Sequence, residues 1–177
     1  MKKILLLAYL VLCVGQASQA QNETTDFPKL LAYFKEVQAG DKIDAVSVLK
    51  SINKDIDKQL AWQFLMEKNN FMKPEEVFAH PIAYFKKSDN IVVLLYSTGE
   101  KGNAMFYAIN MQTYNSKKGK LMDSKTMVSS FNDKGNAFAD IEISNDTKTM
   151  VFSSKSPLGN TLIKVEISNA GKLKIIE

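Results

Sequence analysis

Residues 88–109 read SDNIVVLLYSTGEKGNAMFYAI, and this stretch decides the fold. It contains an unbroken apolar run, 91–96, rich in β-branched and aromatic side chains, which is typical of a β-strand. Turn-forming residues precede the run at 88–90 and follow it at 99–103. Such short connections force neighbouring strands to be antiparallel, because a parallel return needs about a dozen residues or more. The stretch therefore predicts hairpins.

The same pattern continues to the C-terminus. From Val77 onward, short apolar runs are separated by turn clusters, and about eight strands fit between them. Several of these strands alternate between polar and apolar residues. In 162–167, for example, the charged Lys164 and Glu166 flank the apolar Val165. This alternation predicts a sheet with one face in water and the other in the core.

Residues 21–76 carry helical signals instead. Asp26 is placed to cap a helix with Pro28 in its first turn, where a missing N–H costs nothing. Asp44 is placed to start a second helical stretch, which Asn53 and Asp55 interrupt. Apolar residues recur at three- and four-residue steps in both stretches. They are Phe27, Leu30, Leu31, Phe34 and Val37 in the first and Leu49, Ile52, Ile56, Leu60 and Phe64 in the second.

The β-rich part contains an internal repeat. Residues 88–109 align with 145–166, NDTKTMVFSSKSPLGNTLIKVE, and after a contraction in the second copy 119–121 aligns with 171–173. The matched residues fall mostly on turns, while the strands between them share only apolar character, as expected of two copies of a four-stranded meander. The matched pairs are Asp89 with Asp146, Ser97 with Ser154, Gly102 with Gly159 and Asn103 with Asn160.

The second copy resembles a blade of the WD40-like β-propellers of bacterial periplasmic proteins. The resemblance is carried by Asn145-Asp146, by Phe152-Ser153-Ser154, by Gly159-Asn160 and by the strand 162–167, and it covers roughly residues 82–177. It implies two blade-like meanders. A closed propeller needs about four or more blades, and this chain has room for two, so a ring is excluded for a monomer.

The predicted fold class is therefore α+β. N-terminal helices, within 21–76, are expected to pack on about eight antiparallel strands, within 77–177, which form two four-stranded meanders of the same single domain. The apolar run Met105, Phe106 and Tyr107 must point to both faces of its strand. One of those faces must then be covered by helix or by a partner.

Residues 1–20 are predicted to be a cleavable export signal. Two lysines precede an apolar run, 4–15, that is too short to span a bilayer, and small residues lead to a cleavage site after Ala20. A lipid anchor at Cys13 is the alternative, although Leu12 stands where lipoprotein signals have a small residue. The layout also resembles small secreted proteins of unknown function in Bacteroidetes. These features predict a periplasmic or secreted protein with no integral membrane segment.

Composition argues against several chemistries. All 23 basic residues are lysine, and lysine lacks the guanidinium fork that phosphate and guanine recognition uses, so a nucleic-acid partner is not expected. Cys13 is the only cysteine and His80 the only histidine, and a zinc site prefers these ligands. His80 is therefore expected to be a strand-start residue, and Asp140 and Glu142 a solvated strand face. No catalytic, metal or cofactor residues are predicted.

The leading functional hypothesis is a non-enzymatic module that binds another protein through its sheet face or its turns, with an inhibitor or immunity protein as one form. The alternatives are a carbohydrate-binding or cell-envelope hydrolase-type protein, which would need exposed aromatic residues such as Trp62, and a structural or assembly subunit. The oligomeric state is left open. The candidate interaction loops contain Gly102, Asn103, Lys117, Lys118, Gly159 and Asn160.

Overall fold

The computed structural model describes residues 26–45, 47–48, 55–66, 75, 78–98, 107–130, 138–156 and 159–176. The predicted export signal with Cys13 and Ala20 lies outside these residues. So do Gly102 and Asn103 and most of the apolar run Met105 to Tyr107, of which only the last residue is described.

Nine strands make up most of the described chain, and every pairing between them is antiparallel. The fold is α+β, as predicted, with few helices. The strands are β1 (Lys42–Asp44), β2 (Ala79–Ser88), β3 (Ile91–Thr98), β4 (Tyr107–Asn115), β5 (Lys120–Ser130), β6 (Phe138–Ile143), β7 (Thr149–Ser156), β8 (Gly159–Ile167) and β9 (Leu173–Ile175).

The strands form two open sheets, and neither closes into a barrel or a propeller. The first sheet has the order β2-β3-β4-β5 and the second the order β1-β6-β7-β8-β9. Each sheet thus contains one four-stranded meander, which confirms the predicted pair. The extra strand β1 comes from the segment predicted to be helical. Its Ile43 is buried between exposed Lys42 and Asp44 and lies opposite Ile141 of β6.

The two meanders correspond strand by strand. β4 and β8 both have nine residues, and the turn after each contains a glycine with positive φ, Gly119 at 60° and Gly171 at 72°. The predicted match of Gly102 with Gly159 stays a prediction, because Gly102 lies outside the described residues, while Gly159 opens β8.

The first helix, α1 (26–31), is shorter than its apolar stripe predicts. Phe34 and Val37 are buried as expected, but the chain beyond the helix runs along the edge of β2. There the Val37 N–H donates to the Tyr84 carbonyl oxygen at 2.9 Å, and the Tyr84 N–H donates to the Lys35 carbonyl oxygen at 2.9 Å. The unpaired backbone groups of an edge strand outcompete continuation of the helix.

The second helical stretch begins where predicted, and Asp55, one of its two predicted interruptions, is not helical; Asn53 lies outside the described residues. The Asp44 carboxylate accepts a hydrogen bond from the Ser47 N–H at 3.1 Å, as a helix cap does. Residues 55–57 are not helical. Asp57 then caps a second piece, α2 (Lys58–Leu60), by accepting from the Gln59 and Leu60 N–H groups. A π-helical turn, Ala61–Leu65, continues α2.

The core has two layers. One lies between the two sheets and includes Val93 and Leu95 of β3. The other lies between the first sheet and the helices and includes Val92, Leu94 and Tyr96 of the same strand. β3 is therefore buried on both faces, which explains why 91–96 is apolar without alternation. The second sheet has only one buried face, so its other face is left to solvent.

Candidate functional site

The side of the second sheet that faces solvent is a regular surface that the described residues leave uncovered, and we call it the outer face. Its side chains alternate with buried ones along β1, β6, β7 and β8. The strand register aligns them in rows across the sheet. The outer face consists of Lys42, Asp44, Asp140, Glu142, Thr149, Val151, Ser153, Leu162, Lys164, Glu166, Lys174 and Ile176.

An apolar patch extends across the outer face from β7 to the edge formed by β9. Leu162 is 55% exposed and Ile176 is 39% exposed. Val151 lies directly opposite Lys164 of β8, and the Ile176 N–H donates to the Lys164 carbonyl oxygen from the other side at 2.9 Å. The half-buried Lys164 thus lies among three apolar residues. A long alkyl stem can join such a patch while its ammonium group reaches water.

Charged residues surround this patch. Lys42 and Glu142 form an ion pair at 3.1 Å. Asp44 and Asp140 are opposite one another across β1 and β6, which places the third acid across the sheet from the pair Asp140 and Glu142. The Asp44 carboxylate is engaged as a helix cap and also accepts from the Ser47 hydroxyl at 2.5 Å. The acids are solvent-exposed, as the sequence predicts, and within the described ranges no three acids, histidines or cysteines cluster as metal ligands.

The predicted interaction loops are not brought together. Lys117 and Lys118 are exposed in the turn between β4 and β5, where their N–H groups donate to the Asn115 side-chain oxygen at 3.2 and 2.9 Å. Gly159 and Asn160 form the first residues of β8 rather than a loop, paired with Ser156 and Lys155. Two-residue hairpin connections leave the residues on either side free to continue the ladder.

The two sheets join at the lysine end of the molecule. The Thr113 hydroxyl, near the end of β4, donates to the Gly171 carbonyl oxygen in the turn after β8 at 2.5 Å. The turn with Lys117 therefore lies beside the β8–β9 turn, at the opposite end of β8 from Gly159. Among the described residues of this prediction, Lys117 and Lys118 therefore lie at one end of the molecule and Gly159 and Asn160 at the other.

His80 has an acidic partner that sequence spacing did not reveal. Its Nδ1 lies 2.9 Å from the Asp55 carboxylate, on a segment that joins the edge of β2 through the Ile56 N–H and the Ala79 carbonyl oxygen. Ser97 lies opposite His80 across β2 and β3. Acid, histidine and serine are the residue types of a hydrolase triad. However, His80 is 5% exposed and Ser97 is fully buried, so a substrate has no access to the hydroxyl, and we interpret the group as structural.

The buried tyrosines also have structural roles. The Tyr96 hydroxyl donates to the Leu65 carbonyl oxygen at 2.7 Å, the Tyr114 hydroxyl donates to the Phe64 carbonyl oxygen, and the Gln112 amide donates to the Leu65 carbonyl oxygen at 3.1 Å. These bonds satisfy the carbonyl groups that end the π-helical turn. Burial raises the pKa of Tyr114 well above its ordinary value. Trp62 is half-buried and packs against the same core, as predicted.

Comparison with known proteins yields no further clue. The chain matches no protein-family model, no curated protein and no solved structure. In the described part of the chain, each helix is too short or too polar to traverse a lipid bilayer. The fold and the outer face therefore define this protein as an α+β protein with two antiparallel meanders, one of which presents a solvent-facing sheet surface.

Proposed function

We propose that the protein is an exported, non-enzymatic binding protein that docks another protein on the outer face of its second sheet. The observation that carries the proposal is the apolar patch of Val151, Leu162 and Ile176 around Lys164. A solvated strand face ordinarily carries polar side chains. Leucine and isoleucine that remain more than a third exposed, close together and inside a charged rim, are typical of a contact surface.

The arrangement also indicates what kind of partner fits. Protein interfaces commonly have an apolar centre and a polar rim, and the centre contributes most of the binding energy. The rim here carries both charge signs, with Lys42 and Lys174 among the acids Asp140, Glu142 and Glu166. A folded protein with an apolar anchor and a mixed-charge surround matches this pattern better than a strongly basic or strongly acidic polymer does.

Export remains the prediction made from residues 1–20. It sets the compartment in which the partner should be sought, the periplasm or the cell exterior. An inhibitor or immunity protein is the narrower form of the proposal, because such a protein needs a binding surface and no catalytic groups of its own. Carbohydrate binding has less support, because Tyr96 and Tyr114 lie in the core with their hydroxyl groups bonded to backbone carbonyl oxygens.

The test is affinity capture from cell-envelope extract with the purified protein as bait, followed by capture with Leu162→Asp. We expect one stoichiometric protein partner with the unmodified bait and at least about a tenfold loss with the variant, since a central hot-spot residue contributes about 2 kcal/mol or more. Leu121→Asp is the matched control, because Leu121 is an exposed leucine, at 43%, on the other sheet.

Three results would contradict the proposal. The first is a partner retained equally by Leu162→Asp and by Leu121→Asp. The second is self-association of the protein alone, measured by sedimentation, that Leu162→Asp abolishes, which would instead identify an assembly subunit. The third is enzymatic turnover of a cell-envelope substrate by the purified protein that is lost in Asp140→Ala or Glu142→Ala. This result would identify an enzyme.

A further inference from the structure

A cleft opens between the two sheets at the end of the molecule that carries the β2–β3 and β6–β7 turns. Its volume is about 260 Å³, slightly below the range of about 300–1,000 Å³ common for ligand sites. Ile91 contributes an apolar wall, and the other walls are polar. They are formed by Lys87 and Ser88 of β2, by Asp146, Thr147 and Lys148 of the β6–β7 turn, and by Asn169 of the β8–β9 turn.

Lys87 is directed into this cleft by an irregularity in β2. The register of β2 with β3 shifts between Lys86 and Ser88, so Lys87 is the extra residue of a bulge. Bulges redirect the side chain of the extra residue and are frequent beside functional sites. Lys86 forms an ion pair with Glu36 at 3.1 Å. Lys87, in contrast, lines the cleft toward the second sheet.

The Lys87 ammonium is held in the cleft without a committed counter-ion. Among the described residues it forms no hydrogen bond and no ion pair. Partial burial lowers the pKa of Lys87, the Asp146 carboxylate raises it, the nearby Lys148 ammonium lowers it further, and the Glu166 carboxylate raises it by the smallest amount. A cation that is partly stripped of water and faces a second cation gains from an anion placed between them.

The one carboxylate in the lining is largely occupied by its own turn. Asp146 accepts hydrogen bonds from the Ser144 hydroxyl at 2.7 Å and from the Lys148 N–H at 3.0 Å, and these bonds lower its pKa. Its ion pair with the Lys148 ammonium is loose, at 3.7 Å. The turn also holds Thr147 at a φ of 56°, which is a costly conformation for a β-branched residue.

We propose that this cleft binds a small oxyanion, a carboxylate or a phosphate, between the ammonium groups of Lys87 and Lys148. The Ser88 hydroxyl and the Asn169 amide supply further hydrogen-bond donors around it, whereas the Thr147 hydroxyl donates to the Asp146 carbonyl oxygen at 2.7 Å. The size of the cleft fits a metabolite-sized anion rather than a polymer. The site is separate from the apolar patch of the outer face, and the inference does not depend on the proposed protein partner.

The test is an NMR titration of the purified protein with inorganic phosphate and, separately, with succinate, at constant ionic strength. We expect saturable shifts of the amide signals at 146–148 and 169. Lys87→Gln removes one ammonium and should weaken association by about tenfold, the value of one charge-assisted hydrogen bond. Lys117→Gln, in an exposed turn, is the matched control and should change it by less than about twofold.

Saturation with either anion and loss in Lys87→Gln support the site, and the anion that binds more tightly identifies the ligand class. Shifts that do not saturate with either probe would overturn it. So would equal weakening by Lys87→Gln and Lys117→Gln, because this would indicate unspecific attraction to lysines. Thermal unfolding gives a second readout, in which the tighter anion raises the Tm of the unmodified protein more than that of Lys87→Gln.

Discussion

The first and second meanders share one topology and occupy different environments. In the first, β3 is buried on both faces, because the second sheet covers one face and the N-terminal helices cover the other. In the second, β7 and β8 are buried on one face only, and polar residues alternate with the buried ones. The N-terminal segment thus protects one copy of the meander and leaves the other to interact with solvent or with a partner.

The comparison shows how position in a fold reshapes a repeated unit. Leu94 of β3 faces the helices and is fully buried, whereas Leu162, on β8 of the second meander and not on β7, the counterpart of β3, faces outward and is 55% exposed. Tyr114 is the eighth residue of β4 and is buried, whereas Glu166, the eighth residue of β8, is exposed. The strands β4 and β8 share their length and the glycine turn that follows, while each side chain fits the layer that contacts it.

The largest expected effect is a difference in the free energy of unfolding between variants at Leu94 and at Leu162. Leu94→Ala removes buried methyl groups from the helix-facing core and should lower the free energy of unfolding by about 2–5 kcal/mol. Leu162→Ala should change it by less than about 0.5 kcal/mol, as most surface substitutions do. Urea unfolding followed by circular dichroism measures both. Similar costs at the two positions would mean that the helices do not shield the first meander as the structure indicates.

A smaller difference in the free energy of unfolding is expected between variants at Tyr114 and Glu166, the eighth residues of β4 and β8. Tyr114→Phe removes the hydroxyl that donates to the Phe64 carbonyl oxygen, and an unsatisfied buried carbonyl costs about 1–3 kcal/mol. Glu166→Gln, on the outer face, should remain within about 0.5 kcal/mol of the unmodified protein. The same urea experiment applies. A Tyr114→Phe variant as stable as the parent would show that the π-helical turn finds another way to satisfy its carbonyl groups.

Much of the fold could be predicted from local pattern. The unbroken run 91–96, the alternation in 162–167 and the cap at Asp44 each reflect the surroundings of their own residues. Alternation of polar and apolar residues shows that a strand has one solvent-exposed face. An unbroken apolar run shows that both faces of the strand are buried. The two meanders follow from these signals and from the turn residues between them.

The remaining features of the fold and of the candidate sites depend on contacts between segments that are distant in sequence. Local sequence pattern does not predict such contacts. Val37 reads as the end of a helical stripe, yet it pairs with Tyr84 at the edge of β2. Ile43 reads as a linker residue, yet β1 forms because β6 has a free edge. His80 lies opposite Asp55 only because two segments meet there. The cleft likewise requires Lys87 and Lys148 from different sheets.

The smallest expected effect concerns how the N-terminal segment is fastened to the edge of β2. The Tyr84 hydroxyl donates to the Glu36 carboxylate at 2.6 Å, and this bond raises the pKa of Tyr84 from 10.0 to about 12. The unfolded chain therefore releases this proton at lower pH than the folded chain does. The stabilisation is complete below about pH 10 and is lost as the pH rises through about 12.

Tyr84→Phe has no such proton, so its free energy of unfolding should fall less steeply between about pH 10 and 12 than that of the unmodified protein. Other tyrosines ionise in both proteins, and the difference between the two pH profiles isolates Tyr84. Glu36→Gln should flatten the profile in the same way, because the hydrogen bond to Glu36 is the largest cause of the raised pKa. If both variants keep the full alkaline slope, the N-terminal segment is not held to β2 by this pair, and the backbone bonds between Lys35, Val37 and Tyr84 carry the attachment alone.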